Sequence, residues 1–194
     1  MSEKKLDAVV VGSGPNGLAA AITFARAGRS VKIIEASSFI GGGMRTEELT
    51  LPGFLHDTFS AVHPMAVASP FFRSLPLEHY GLEWLSSPSP LAHAIGDTSV
   101  ILEESVEKTA DQLGKDDWRY RRVFGPLVRK WEGLFEDVMQ PALHMPRHPV
   151  LMARFGMMAM LSAESFAKGF FSDPKTRALI GGVAAHANAP LDRT

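Results

Sequence analysis

The spacing of apolar residues changes several times along the chain, and each change predicts an element. Asp7 is followed by four apolar residues, Ala8-Val9-Val10-Val11, a run that predicts a short buried strand. Gly12-Ser13-Gly14-Pro15-Asn16-Gly17 interrupts it. From about Asn16 to Ala27 the pattern becomes helical, with Leu18, Ile22 and Ala25 on the face toward the sheet and Gly28 as the stop. A second apolar run, Val31-Lys32-Ile33-Ile34, ends at Glu35, and Gly41-Gly42-Gly43-Met44-Arg45-Thr46 follows. The order is strand, glycine turn, helix, strand, acid, and a second glycine turn carrying an arginine.

Beyond this the pattern loosens. Residues 47 to 90 are rich in proline (Pro52, Pro64, Pro70, Pro76, Pro88 and Pro90) and predict loops, with short helical turns near Ala66 to Arg73. Leu91 to Ile95 and Ser99 to Glu103, joined by Gly96-Asp97-Thr98, predict a β-hairpin. A helix is expected over Thr109 to Leu113, with Glu104 and Glu107 near its start. Asp116 reads as the N-cap of a longer helix whose apolar face runs from Tyr120 through Trp131 to Val138. Gly125-Pro126 inside that run should kink or break it.

From Pro149 the chain is rich in methionine and phenylalanine (Met152, Phe155, Met157, Met158, Met160, Phe166, Phe170 and Phe171). These residues fit two short helices, and Asp173-Pro174 opens another. The adaptable side chains suit a plain helical core, which is preferred, or an apolar substrate channel or membrane-dipping surface.

Composition narrows the function classes. The chain has 194 residues, 45% hydrophobic and 21% charged, with a net charge of −1, so nothing points to a nucleic-acid partner or to general electrostatic attachment to membranes. There are no cysteines, which excludes disulfides and the redox-active dithiol of flavin disulfide reductases. No window of about 20 residues is continuously apolar, and Met1-Ser2-Glu3-Lys4-Lys5 leads at once into the first strand without a secretory pattern. The expected location is cytoplasmic, with peripheral membrane contact as an option. The seven histidines show no pairing at metal-ligand spacing, since Pro146 separates His144 from His148, and no metal is expected.

The chemistry lies in the opening stretch. A parallel strand that turns sharply into a helix needs backbone freedom at Gly12. Gly14 lets a pyrophosphate lie against the main chain, and Gly17 lets the helix approach the sheet. The helix start, with Pro15 and Asn16, presents unpaired N–H groups to phosphate oxygens. Glu35, 18 residues after Gly17 and followed by Ala36, stands where a carboxylate accepts bonds from ribose hydroxyls. An acid there repels a 2′-phosphate, which disfavours NADP. The fingerprint by itself leaves NAD and FAD open, and an ordinary βαβ unit with a tight turn is the bland alternative.

Glu35 followed by Gly41-Gly42-Gly43-Met44-Arg45-Thr46 resembles the extended FAD signature of the flavoprotein group that contains amine oxidases, protoporphyrinogen oxidases and phytoene desaturases. The run Pro52-Gly53-Phe54-Leu55-His56-Asp57, with Ser60 and His63-Pro64, is most similar to the phytoene dehydrogenase-like branch. The resemblance implies FAD as cofactor. It also implies backbone contacts from Gly42, Gly43 and Met44, with Arg45 as the phosphate cation and Thr46 as a nearby hydroxyl. Many members carry arginine directly after the glycine pair; here Gly43 stands there and the charge comes at Arg45. His56 and Asp57 are candidates to line the flavin cavity.

The expected fold class is α/β: a Rossmann-like FAD-binding βαβ unit over residues 1–65, followed over 66–194 by part of a mainly helical α+β substrate domain. A doubly wound FAD domain needs about four or five parallel strands, and two are legible here. The resembled flavoproteins are much longer, so the chain reads as their N-terminal portion, needing a further C-terminal portion to complete the fold and poorly stable alone. The implied function is FAD-dependent removal of hydride from an apolar or amphipathic substrate, with an unidentified electron acceptor. The alternatives are a flavin amine oxidase and a non-catalytic FAD- or NAD-binding module.

Overall fold

A computed structural model of the chain describes residues 5–141 and 143–193. The chain divides into two compact units between Leu82 and Glu83, later than the expected 65/66 boundary.

In the first unit, β1 (Ala8–Val11) and β2 (Val31–Ile34) pair in parallel, with Ala8 opposite Val31 and Val11 opposite Ile34. The crossover is α1 (Pro15–Arg26), one residue earlier at each end than expected. Its most buried residue is Ala21, whereas Leu18 and Ile22 are half-buried and Ala25 is exposed. Ala21 lies one turn beyond Gly17, where a Cβ would stand 3.5 Å from Val10 of β1, so a small side chain is the one enclosed there. The opposite face of the sheet is bare, with Val9 52% and Val11 83% exposed. This matches a sheet that is incomplete in this chain.

The stretch expected to be loop contains an antiparallel ribbon, β3 (Thr46–Glu48) with β4 (Leu55–Asp57), which pairs Thr46 with Asp57 and Glu47 with His56. Three-residue strands carry too few positions for a period to show. The short helices α2 (Pro64–Ala68) and α3 (Pro70–Arg73) form where helical turns were expected.

The second unit begins with the hairpin of β5 (Leu91–Ile95) and β6 (Thr98–Leu102), as expected from the turn residues. Next, α4 (Val106–Asp111) starts three residues before the expected Thr109, because Ser105 caps it by accepting from Lys108 N–H. The remaining helices are α5 (Asp117–Arg129), α6 (Trp131–Val138), α7 (Pro149–Ala159), α8 (Ala163–Phe170) and α9 (Pro174–Ala185). Val100, Val106, Ala110, Leu113, Tyr120, Val123, Phe171 and Leu179 form the core, which Phe124 and Phe166 flank. Phe124 stacks on Phe171 with centroids 6.4 Å apart. Tyr120 and Phe124 of α5 therefore belong to or flank the core, as the helical period implied, whereas Trp131 on the same expected face is 38% exposed.

Two expectations are qualified in this unit. Asp116 occupies the N-cap position of α5, as expected, but its side chain does not cap the helix. It is fully buried and accepts instead from Ser172 N–H, Ser172 Oγ–H and Asp173 N–H, 56 and 57 residues along. Nor does the helix break at Gly125-Pro126; Pro126 lies inside α5 and the interruption comes at Lys130. Proline cannot donate to the carbonyl four residues back, which is that of Arg122. That carbonyl accepts from the Arg154 guanidinium of α7 instead.

Met158, Phe166 and Phe171 pack into or against the core, while Val150, Met157 and Met160 are exposed. Among the described residues no single helix is long and apolar enough to cross a membrane; α7 and α8 reach that length and composition only when taken together, and they are bent by 104°.

Candidate functional site

The site is built at the carboxyl ends of β1 and β2. Gly12 follows β1 with φ +95° and bonds across to the end of β2 through Gly12 N–H to Ile34 C=O, 2.7 Å. A side chain would be strained in that conformation. At Gly17 the constraint is space, since a Cβ would lie 2.1 Å from the Gly12 carbonyl oxygen. The turn and the helix are thus locked together through main chain.

Gly14 is the N-cap of α1, Pro15 is the first helical residue and no side chain caps the helix. The first helical bond runs from Leu18 N–H to Gly14 C=O, which leaves Asn16 and Gly17 N–H without helical acceptors. A bare, 12-residue helix start carries partial positive charge that suits phosphate oxygens.

The second glycine turn packs on the first. Gly41 N–H donates to Ser13 C=O at 3.1 Å, and Gly42 opens a 3-10 turn, Gly42–Met44. A Cβ on Gly42 would come within 2.8 Å of Gly14 Cα. Gly42 is therefore glycine so that the two turns can meet, whereas a Cβ on Gly43 would meet nothing within 4 Å. Only close backbone packing brings these segments, far apart in sequence, to one crevice.

Glu35 ends β2 and points back into the first turn. Its Oε2 accepts from Ser13 N–H (2.8 Å) and Ser13 Oγ–H (2.6 Å), and its Oε1 accepts from Ser37 N–H (2.9 Å). The Ser13 hydroxyl, then the Ser37 and Ser13 N–H groups, hold its carboxyl down at about 2, so it is ionised at neutral pH. A carboxylate offers about four acceptor positions; three are used, leaving capacity for a ribose hydroxyl. Ala36 follows, exposed.

Arg45 is held by this chain's own groups. Its Nη1 donates to Ser37 Oγ at 3.0 Å and lies 3.6 Å from Glu47, and its guanidinium sits 5.4 Å from the centre of the Phe59 ring. Its Nε is buried without a partner, an unmet donor that fits a phosphate cation. Thr46 is otherwise engaged, donating to Asp57 Oδ1 across the ribbon (2.8 Å), and His56 Nε2 lies 2.8 Å from Thr50 Oγ1. Met44, Arg45 and Thr46 line a cavity of about 600 Å³ together with Phe39, Ile40 and Leu55.

Sequence reasoning passed over Ser13, Ser37 and Phe59. Ser13 is 1% exposed and connects the glycine turn to Glu35. A serine between two glycines of the fingerprint was the available signal. The bare helix start, the unfilled donor of Arg45, the open Gly43 and the ionised Glu35 together fit a bound adenine dinucleotide.

Comparisons with known proteins bear on which dinucleotide it is. Residues 7–75 match the family model described as FAD dependent oxidoreductase, a span inside the first unit. The chain is 29% identical over 147 residues to a limonene dehydrogenase component of Castellaniella defragrans, covering 74% of this chain and 26% of that protein. It is 55% identical over 40 residues to thiamine thiazole synthase of Desulfosudis oleivorans, 21% of this chain and 16% of that one. Among solved structures, a putrescine oxidase bound to putrescine matches with a TM-score of 0.53 at 23% identity, covering 93% of this chain and 37% of that chain. That likeness shows the fold. The chain thus spans well under half the length of these relatives. The match over residues 7–75 lies in the unit that holds both glycine turns, and the cofactor it indicates is FAD.

Proposed function

We propose that the protein to which this chain belongs is an FAD-dependent dehydrogenase or desaturase that removes hydride from an apolar or amphipathic substrate. The observation that carries this reading is the meeting of the two glycine turns beside an ionised Glu35. Bound FAD supplies the hydride acceptor, and a separate acceptor reoxidises it. The residues of this chain bind and orient. Asn16 and Gly17 N–H would hold the pyrophosphate, Glu35 would accept from the ribose, Gly43 would give the main chain a close approach, and Arg45 would supply positive charge.

The dehydrogenase reading draws support from the longest of three sequence alignments, to a protein named as part of a limonene dehydrogenase. The amine oxidase alternative has a likeness of fold to putrescine oxidase, and fold alone does not choose a substrate. Two measurements test the proposal. Mass analysis of the cofactor released on denaturation should find FAD; finding NAD or nothing would refute the first step. Anaerobic bleaching of the flavin absorbance should occur with limonene-like hydrocarbons and not with putrescine. The reverse result would select the amine oxidase reading, and no bleaching by either would favour a non-catalytic module.

A further inference from the structure

The second unit carries a groove of about 560 Å³ between α5, α7 and the end of α8. Its floor is apolar: Trp118, Val123, Met157, Met158 and Phe170. Its walls hold three arginines, Arg119, Arg122 and Arg154, and no carboxylate among the described residues lines it. The volume falls in the range of small-molecule sites.

The arginines differ from ordinary solvated surface charges in how they are held. Arg119 is pinned through Nη1 to Asp116 Oδ1 and Ser172 Oγ, each at 3.1 Å, and its guanidinium lies 5.2 Å from the centre of the Trp118 ring. Arg154 is pinned through Nη2 to the Arg122 carbonyl that Pro126 leaves without a helical donor. The Arg122 side chain makes no hydrogen bond or ion pair among the described residues, whereas its carbonyl takes the Arg154 guanidinium. A guanidinium has five N–H donors, so most donors of the trio have no protein partner. Asp116, the acid that touches the trio, is fully buried and already bonded to Ser172 and Asp173.

We propose that this groove binds a soluble single-chain amphipathic anion, its carboxylate on the arginines and its hydrocarbon chain on Trp118, Met157, Met158 and Phe170. Charge complementarity selects the head, because no acid lines the groove and Asp116 offsets only Arg119, leaving Arg122 and Arg154 without a carboxylate partner among the described residues. Apolar area and adaptable methionines select the tail. The site stands on the second unit alone and makes no use of the dinucleotide crevice.

The test is calorimetric titration of the FAD-loaded protein with decanoate, with decanol, decyltrimethylammonium and acetate as comparisons. Decanoate should bind saturably with a change in Trp118 fluorescence that is absent in Trp118→Phe. Decanol should bind about tenfold more weakly, and acetate should not bind measurably. Arg122→Ala, at an exposed position, should keep the circular dichroism spectrum and weaken decanoate about tenfold, with Arg122→Lys intermediate. Equal affinity for decanol or decyltrimethylammonium, an unchanged affinity in Arg122→Ala, or binding only to anionic phospholipid vesicles would each overturn the proposal. Cofactor content, measured separately, reports on the flavin reading without touching this one.

Discussion

Ser13 donates both its backbone N–H and its hydroxyl to one oxygen of Glu35, Oε2, at 2.8 and 2.6 Å. The first glycine turn and Glu35 are thereby tied together, which fixes the spacing between the groups proposed to take the pyrophosphate and the ribose. Ser13→Ala removes the hydroxyl bond and leaves the N–H bond. FAD affinity should fall about tenfold, in line with loss of a charge-assisted bond that positions the carboxylate, while far-UV circular dichroism stays as in the parent. An unchanged FAD dissociation constant would show that Glu35 is positioned without the serine hydroxyl.

Gly17 and Gly43 should separate structural from binding glycines. Gly17→Ala places a methyl against the Gly12 carbonyl oxygen, so α1 must move away from the turn. Overpacking of this kind costs about 1–3 kcal/mol and should abolish FAD retention. Gly43→Ala meets nothing within 4 Å and should leave the melting temperature in place. Any loss of FAD in that variant would then measure direct contact.

Acid should loosen the second unit through Asp116. Burial opposes its ionisation, but the N–H groups of Asp173 and Ser172, the Ser172 hydroxyl and Arg119 outweigh burial and hold the carboxyl at about 2, below its ordinary 3.8. A depressed folded value means stability that is present above about 3.8 and is lost as pH falls toward 2. Glu35 acts in the same sense between 4.5 and about 2. Thermal melts at pH 5, 4 and 3 should show the decline, and Asp116→Asn should start lower and fall less steeply. A parallel decline in that variant would assign the acid sensitivity elsewhere.

Pro126 and Arg154 should be coupled. Pro126→Ala restores the N–H that pairs with the Arg122 carbonyl and makes the Arg154 bond redundant. Arg154→Ala should destabilise the parent by about 0.5–1 kcal/mol and the Pro126→Ala background by less. A double-mutant cycle in urea checks this; strict additivity would mean that the guanidinium does not satisfy that carbonyl.

Much of the first unit is legible in the sequence. The order of β1, the glycine turn, α1, β2 and Glu35 follows from residues near one another in the chain, where steric needs restrict the residue type directly. The β3–β4 ribbon was missed because its strands are too short to show a period. In the second unit the hairpin and the Asp173-Pro174 helix start were legible from turn and cap chemistry. The course of α5 was not, because a proline reads as a break until something distant supplies its missing bond.

The chain by itself determines the strand and helix order of the opening unit, the hairpin and the Asp173-Pro174 helix start, the need for glycine at Gly12, and that an acid ends β2, because propensity, turn sterics and spacing act over a few residues. Tertiary structure decided that Gly42 is small in order to meet Gly14, that Ser13 grips Glu35, and that the Asp116 carboxylate takes Ser172 and Asp173 rather than the free N–H groups at the start of α5. A hydrophobic period says that a face is covered but not by what. A buried polar group takes whichever partner packing brings within reach.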